Sequence, residues 1–446
     1  MKRKFLATAA RSGLSIILVA HSAIAYCAED GFAKWATTHA LPITTVESAS
    51  NDSDLLPLEY AIGTARIVAL GEPMHGAHEP LEFRNRLFRF LVERKGFTAI
   101  ALESGFTESL GARSFVEDGE GDAETTVQKG LPPLPENREL IQWMRDYNAA
   151  AASAGHHKVR LYGIDMTAGG RKNGPWLTID CALTYLSLAD PTAAQNIRQS
   201  LGDTLSGIDA REFGSLPPAA QTAFETSIQT ITQATQKSRK SLIKHSSEDQ
   251  YHWALHNLEA ARQLARCLPI TPQPQASHSL WVHATECRDA RMAANVQWAV
   301  ENEGQRGRLL VFAHDGHVMA AKEDGRRLAD VPYKPAVMGF NLRLEYGKDL
   351  YIILLVCKTT SGGLLTAKPL EEGSIESTLA GVNLPLIFLD IRKAQRDKDA
   401  LAWLSTRRSY DANVSSQELL SLQTAMDAFV FVNTLTPARA SSGETP

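Results

Sequence analysis

Short apolar runs recur along the chain, separated for the most part by stretches with helical spacing. They are RIVAL (66–70), TAIAL (98–102), VRLYGI (159–164), RLLVFA (308–313), AVMGF (336–340), LYIILLV (350–356), PLIFL (385–389) and AFVFV (428–432). Runs this short, rich in β-branched or aromatic residues and apolar at both parities, fit strands buried on both faces. Alternating with helices, they predict an α/β fold: a largely parallel central sheet flanked by helices. Between about 179 and 301 the strand-like runs stop. There TAFETSIQTITQATQKSRKSLIK and YHWALHNLEAARQLARC carry helical periodicity and good helix formers. The expected organisation is a targeting segment at 1–25, a first α/β part at 26–178, a helical insertion at 179–301 and a second α/β part at 302–446. Asn51, Asp52, Ser53 and Asp54 read as a turn or cap before Leu55.

Composition narrows the class. The 446 residues are 44% hydrophobic, and Lys+Arg 46 against Asp+Glu 50 gives a formal charge of -4. With no long run of one sign and no aromatic-basic motif, a nucleic-acid partner has no support. The N-terminus reads as an export signal. Lys2, Arg3, Lys4 and Arg11 precede the apolar GLSIILVA (13–20), and AIA (23–25) is an A-x-A cleavage pattern. Cleavage near Ala25 predicts a periplasmic or secreted protein with no membrane association once the signal is removed. The five cysteines, Cys27, Cys181, Cys267, Cys287 and Cys357, show no C-x-x-C spacing. That argues against a cysteine zinc site and leaves any disulfide pairing open.

The chemistry gathers where the apolar runs end. RIVAL leads into Gly71, Glu72 and then His75; TAIAL into Glu103; VRLYGI into Asp165; RLLVFA into His314 and His317; PLIFL into Asp390. In parallel α/β sheets ligands bind beyond the carboxyl ends of the strands. Glu72, His75, Glu103, Asp165, His314 and His317 are therefore expected to converge on one cleft. After the first turn, Glu79 and Pro80 suit a helix start, and Leu81, Leu87, Phe88 and Leu91 form an apolar stripe that ends at Arg94, Lys95 and Gly96. Arg84 lies on that stripe. A buried guanidinium needs an anionic partner, and Glu72 or Glu103 is the expected one. Arg288 and Asp289 are expected to form a structural ion pair that anchors the insertion to the sheet. His78, His156 and His157 read as ordinary loop histidines.

ARIVALGEPMHGAHEPLEFRNRLFRFLVERKGFTAIALE (65–103) resembles the signature of the erythromycin esterase family: a strand, G-E-x-x-H-G, an arginine twelve residues after the glutamate, and a second strand ending in Glu. ELIQWMRDYN (139–148), LYGIDM (161–166), CRDARMAANVQW (287–298), VFAHDGHV (311–318) and DAFVFVNTLTPA (427–438) resemble further family segments in order. Pro73 and Met74 depart from the small residue and Thr that often precede the motif histidine. The resemblance implies hydrolysis of a carboxylic ester, macrolide lactone rings included, by water and without a serine acyl-enzyme or cofactor. It implies His75 as general base, and Glu72, Arg84, Glu103 and His314 as site residues. His317 falls in the same segment as His314, and Asp165 is a candidate substrate contact.

The same residues admit rival readings. His and Glu are proper zinc or iron ligands, although GEPMH is not H-E-x-x-H. No G-x-S-x-G elbow marks a serine nucleophile, and Ser104 in LESGF is not in such a turn. A non-catalytic domain holding a small ligand in this cleft is the reading outside catalysis.

Overall fold

The computed structural model describes residues 31–166, 174–205, 208, 210–268, 278–320, 336–364, 367–406, 408–410, 418–420 and 422–440. The export-signal expectation at 1–25 lies outside them.

An open eight-stranded sheet organises the chain. Its strands are β1 (Leu41–Pro42), β2 (Ile67–Glu72), β3 (Ala99–Gly105), β4 (Arg160–Asp165), β5 (Leu309–His314), β6 (Leu350–Thr360), β7 (Leu386–Asp390) and β10 (Ala428–Leu435), in the order β1-β7-β10-β6-β2-β5-β3-β4. The six strands from β10 to β4 are mutually parallel, and β7 pairs antiparallel with both β10 and β1. A separate antiparallel pair joins β8 (Arg408–Tyr410) to β9 (Glu418–Leu420).

The apolar runs are continuous because each strand feeds two cores. Ile67 and Ala69, Leu309 and Val311, Ile352 and Leu354, and Phe429 and Phe431 point to one face. Val68 and Leu70, Leu310 and Phe312, Ile353 and Leu355, and Val430 and Val432 point to the other. On the second face lies the helix His78–Lys95, which seats Leu81, Phe83, Leu87 and Phe88 there. Gly96 ends this helix in the left-handed region (φ 64°), and Arg94 and Lys95 stand in the last turn. Pro80 falls two residues inside this helix rather than at its first position.

Between β4 and β5 the described residues form seven helices, from Gly174–Leu186 to His278–Asn302. Some of them build a third apolar cluster of their own around Ile179, Leu183, Phe224, Ile228 and Leu264. The last helix instead lays Met292, Ala293, Val296 and Ala299 on the first face of the sheet. Cys267 and Cys287 form a disulfide across this region; Cys181 and Cys357 are in no disulfide among the described residues. No helix among the described residues is long and apolar enough to cross a membrane.

The structure corrects one strand expectation. The run at 336–340 opens the helix Met338–Tyr346, where Asp289 accepts the Met338 amide proton at 2.9 Å. A short apolar run carries no periodicity that separates strand from buried helix. Asp390 does end β7, but that strand runs opposite to its neighbours. Asp390 therefore lies beside Ala428, at the start of β10, and pairs with Arg392. It belongs to the other edge of the sheet.

Candidate active site

Four parallel strands deliver ionisable residues to one edge. Glu72 and His314 are register partners at the ends of β2 and β5. Gly71 makes that edge tight: a Cβ there would lie 2.8 Å from Leu354 and 2.9 Å from the Asp315 Cα, so only glycine admits the His314–Asp315 backbone so close. The β3–β4 register shifts by one residue between Leu102 and Gly105. That bulge frees Glu103 from the ladder and turns it toward β5. Asp165 closes β4.

A cavity of about 650 Å³ opens beside these ends. Glu72, His75, Arg84, Glu103, Asp165 and Arg288 supply its polar wall. Leu81, Leu102, Leu131, Leu134 and Phe312 supply the apolar wall. Of the seven residues expected in the cleft, five line it directly. His314 stands just behind, its ring 5.2 Å from that of His75 and edge-on to it. His317 lies one layer further back, 3.4 Å from Glu103.

His75 sits in the turn after β2, with its side chain 63% exposed. Its Nδ1 is 2.7 Å from Glu72 Oε1. That hydrogen bond raises the His75 pKa above its ordinary value; burial opposes the shift, and the charges of Glu72 and Glu103 add to it. Glu72 is buried, and its Oε2 has no hydrogen-bond partner among the described residues. The pair leaves one imidazole nitrogen for a ligand, while the second Glu72 oxygen is buried.

Glu103 is fully occupied. Its Oε1 accepts from Arg288 Nη2 at 2.9 Å, and its Oε2 accepts from the His314 amide at 2.7 Å. Burial alone would raise its pKa, but His317, Arg288 and the His314 amide hold it well below the usual carboxylate range. Arg288 also grips Asp165, through Nη2 at 2.6 Å and Nε at 3.2 Å. The Asp165 charge is the main reason the Arg288 pKa rises further still.

Two histidines change partners with protonation. His314 Nδ1 is 3.1 Å from the Gly316 amide and 2.9 Å from Asp315 Oδ1. The neutral ring accepts from the amide; the cation donates to the carboxylate. Burial pulls its pKa down, yet Asp315 leaves it raised overall. His317 bonds Asp289 through Nδ1 at 2.9 Å, while its Nε2 lies 3.0 Å from Arg288 Nη1 and 3.4 Å from Glu103. Neutral, it accepts from the guanidinium; charged, it meets Glu103. Burial opposes the charge, but Asp289 and Glu103 overcome it and raise the pKa to about 10.

Two expectations are corrected here. Arg84 is buried, but its partners are amides: Nε and Nη2 donate to Asn85 Oδ1, and Nη1 donates to Asn137 Oδ1 at 2.9 Å. Among the described residues it makes no ion pair with Glu72 or Glu103. Its guanidinium carbon stands 4.9 Å from the centroid of the Phe312 ring. Burial lowers its pKa to about 10 against the pull of Glu72, Glu82 and Glu136. A carboxylate was expected because burying a charge demands compensation; here amide dipoles and a ring quadrupole supply it at close range. Arg288 and Asp289, in turn, do not pair with each other. Arg288 ties the helix His278–Asn302 to the strand ends from inside the cavity, and Asp289 holds His317. Helical periodicity alone could not reveal that Arg288 faces β3 and β4.

Among the described residues, the side chains spaced to hold a metal ion are His78, Glu82 and Glu136, outside the cavity. Arg439 already bridges Glu82 and Glu136, so a cation of the chain itself faces those two carboxylates.

The profile of a family described as Erythromycin esterase matches residues 92–435. A Bacillus subtilis (strain 168) protein described as "Putative hydrolase YbfO" is 23% identical over 434 residues, covering 91% of each chain. Erythromycin esterase type II of Escherichia coli is 24% identical over 294 residues, 64% of this chain and 68% of that relative. A solved structure of a mutant of erythromycin esterase EreC, in its open conformation, superposes with a TM-score of 0.64 at 18% identity, covering 90% of this chain and 98% of its own.

Proposed function

Because the chain belongs to the erythromycin esterase family, with the esterase and hydrolase activity that this membership supports in general, we propose that it hydrolyses a carboxylic ester or lactone in the Glu72–His75 cavity. The observation that carries this reading is the hydrogen bond from His75 Nδ1 to Glu72, which leaves Nε2 as the proton acceptor at the mouth of the cavity.

In this mechanism His75 Nε2 takes a proton from water as the water oxygen attacks the ester carbonyl carbon. Glu72 holds the ring in the productive tautomer and stabilises the imidazolium that forms. The carbonyl π pair moves onto oxygen. Arg84 faces that oxyanion, since its charge is not spent on a carboxylate. When the tetrahedral centre collapses, the bond to the alkoxide breaks, and the imidazolium returns its proton to the leaving oxygen. A lactone opens to a hydroxy acid; an acyclic ester gives acid and alcohol. His314, stacked edge-on, restricts the His75 ring. Glu103 stays ionised and organises Arg288 and the His314 backbone, a supporting role rather than acid–base work. Asp165 and His317 act through Arg288 in the same way. The hydroxyl of Ser104 donates to the Gly130 carbonyl at 3.0 Å, an arrangement that favours water over serine as the nucleophile.

The apolar wall suits a bulky hydrophobic ester such as a macrolide. Export fits the disulfide Cys267–Cys287, a bond that persists in oxidising compartments. The test is to incubate the purified protein with a panel of macrolides and simpler esters and detect the mass gain of one water. The reading predicts such a product, with oxygen-18 from labelled water in the new carboxylate, and no labelling by fluorophosphonates. Absence of hydrolysis across the panel, or a covalent serine adduct, would remove it.

A further inference from the structure

The residue that carries the proposed base has little to hold it. His75 is mostly exposed, and its turn contains Gly76 in the left-handed region (φ 75°). What fixes this turn comes from the far end of the chain. Beyond β10, residues 436–439 lie across it as a strap. The Ala438 amide donates to the Gly76 carbonyl at 2.8 Å, Ala77 forms an antiparallel bridge with Pro437, and the His78 amide donates to the Thr436 carbonyl at 2.8 Å. Thr436 donates through its amide and its hydroxyl to the two oxygens of Glu79, each at 2.8 Å.

The strap is fastened at Arg439. Its amide and Nε donate to Glu136 Oε1, at 3.0 and 3.2 Å, and its Nη2 reaches Glu82 at 2.5 Å and Glu139 at 2.6 Å. Glu136 is fully buried and also holds His78 Nδ1 at 2.8 Å, on the residue that opens the helix after the turn. The same locus supports the second cavity group. The Glu136 carbonyl accepts from Asn85, and Asn85 and Asn137 are the partners of Arg84.

We propose that Arg439 is a positioning residue: by fastening the C-terminal strap to Glu136 it fixes the His75 turn, and through Asn85 and Asn137 it steadies Arg84. The placement of His75 needs no assumption about substrate; its consequence for turnover rests on the esterase reading. Arg439 touches neither the cavity nor His75, so it acts only through the backbone it ties down. A three-residue overlap of β-like contacts holds weakly by itself; three ion pairs and one amide hydrogen bond at its end supply the clamp.

The full-length chain is compared with Arg439→Ala, Arg439→Lys and Glu136→Gln. Two readouts are taken: the NMR titration of the His75 imidazole, and kcat and KM on whichever ester is cleaved. In Arg439→Ala, His75 titrates at lower pH because its contact with Glu72 loosens, and kcat falls by about tenfold or more while KM stays nearly constant. Arg439→Lys restores most of both, and Glu136→Gln reproduces the alanine variant in milder form. If Arg439→Ala does not fold, Thr436→Val gives the same two readings with the clamp intact but the strap loosened. Unchanged His75 titration in a folded variant, even with a lower melting temperature, overturns the proposal. A shifted titration in a protein that cleaves no ester keeps the strap and removes the esterase reading.

Discussion

Glu72 and His314 stand side by side as the last residues of two neighbouring parallel strands, although most of the chain lies between them. The sheet thus assembles the cavity from the register of β2 and β5, and the loops refine it.

The Glu72–His75 hydrogen bond sets the expected pH profile. Its effect is to raise the His75 pKa, so the rising limb of kcat/KM against pH should lie above the ordinary histidine value of about 6.5. Glu72→Gln removes both the charge and the strong acceptor. The limb should move to lower pH while the plateau falls by about 10²-fold or more. His75→Ala should abolish turnover and leave the melting temperature nearly unchanged, because the ring is largely exposed. Steady-state kinetics from pH 5 to 9, with thermal melts, check all three.

Arg288 is the cation shared by Asp165 and Glu103. Arg288→Ala leaves the buried Asp165 without its counter-charge and Glu103 with His317 alone, and urea unfolding should show a loss of about 3 kcal/mol. Arg288→Lys keeps the charge but cannot grip Asp165 with two nitrogens, so it should recover only part of that loss.

His317 makes stability sensitive to alkali. Its folded-state pKa is raised to about 10, above the unfolded value near 6.5. The proton therefore binds the folded state more tightly. The resulting stabilisation is complete below about pH 6.5 and is lost as pH climbs through 10. Melting temperature should fall between pH 7 and 10 in the wild type, and the slope should flatten in His317→Gln.

The Cys267–Cys287 bond closes a loop just before Arg288. Its removal, by Cys267→Ser with Cys287→Ser, should lower stability by about 3 kcal/mol. Comparing chemical denaturation of the double variant with that of the wild type, oxidised and reduced, measures the effect. Equal stability in all three would mean that the bond constrains little.

Much of this was legible in the sequence because parallel strands buried on both faces leave continuous apolar runs, and because such sheets present ligands at one edge. Glu72, His75, Glu103, Asp165, His314 and His317 could be grouped on that basis. What escaped the sequence depends on contacts rather than pattern. The direction of β7, which sends Asp390 to the opposite edge, is set by its pairing with β10. The helix at 338 owes its N-terminal contact to Asp289. Arg288 joins the cavity only because its helix packs on β4, and Arg84 found amides where charge alone pointed to a carboxylate. The strap at 436–439 carries no periodicity at all.

Gly71 gives the motif an unexpected meaning. The glycine is dictated less by its own strand than by a neighbour from the second half of the fold, whose main chain fills the space a methyl group would need. The pair Gly71–Glu72 and the segment from His314 to Asp315 are therefore two halves of a single steric agreement. An alanine at Gly71 should push the β5 terminus outward and drag the histidine ring away from its partner, disarming the cavity without touching one ionisable group.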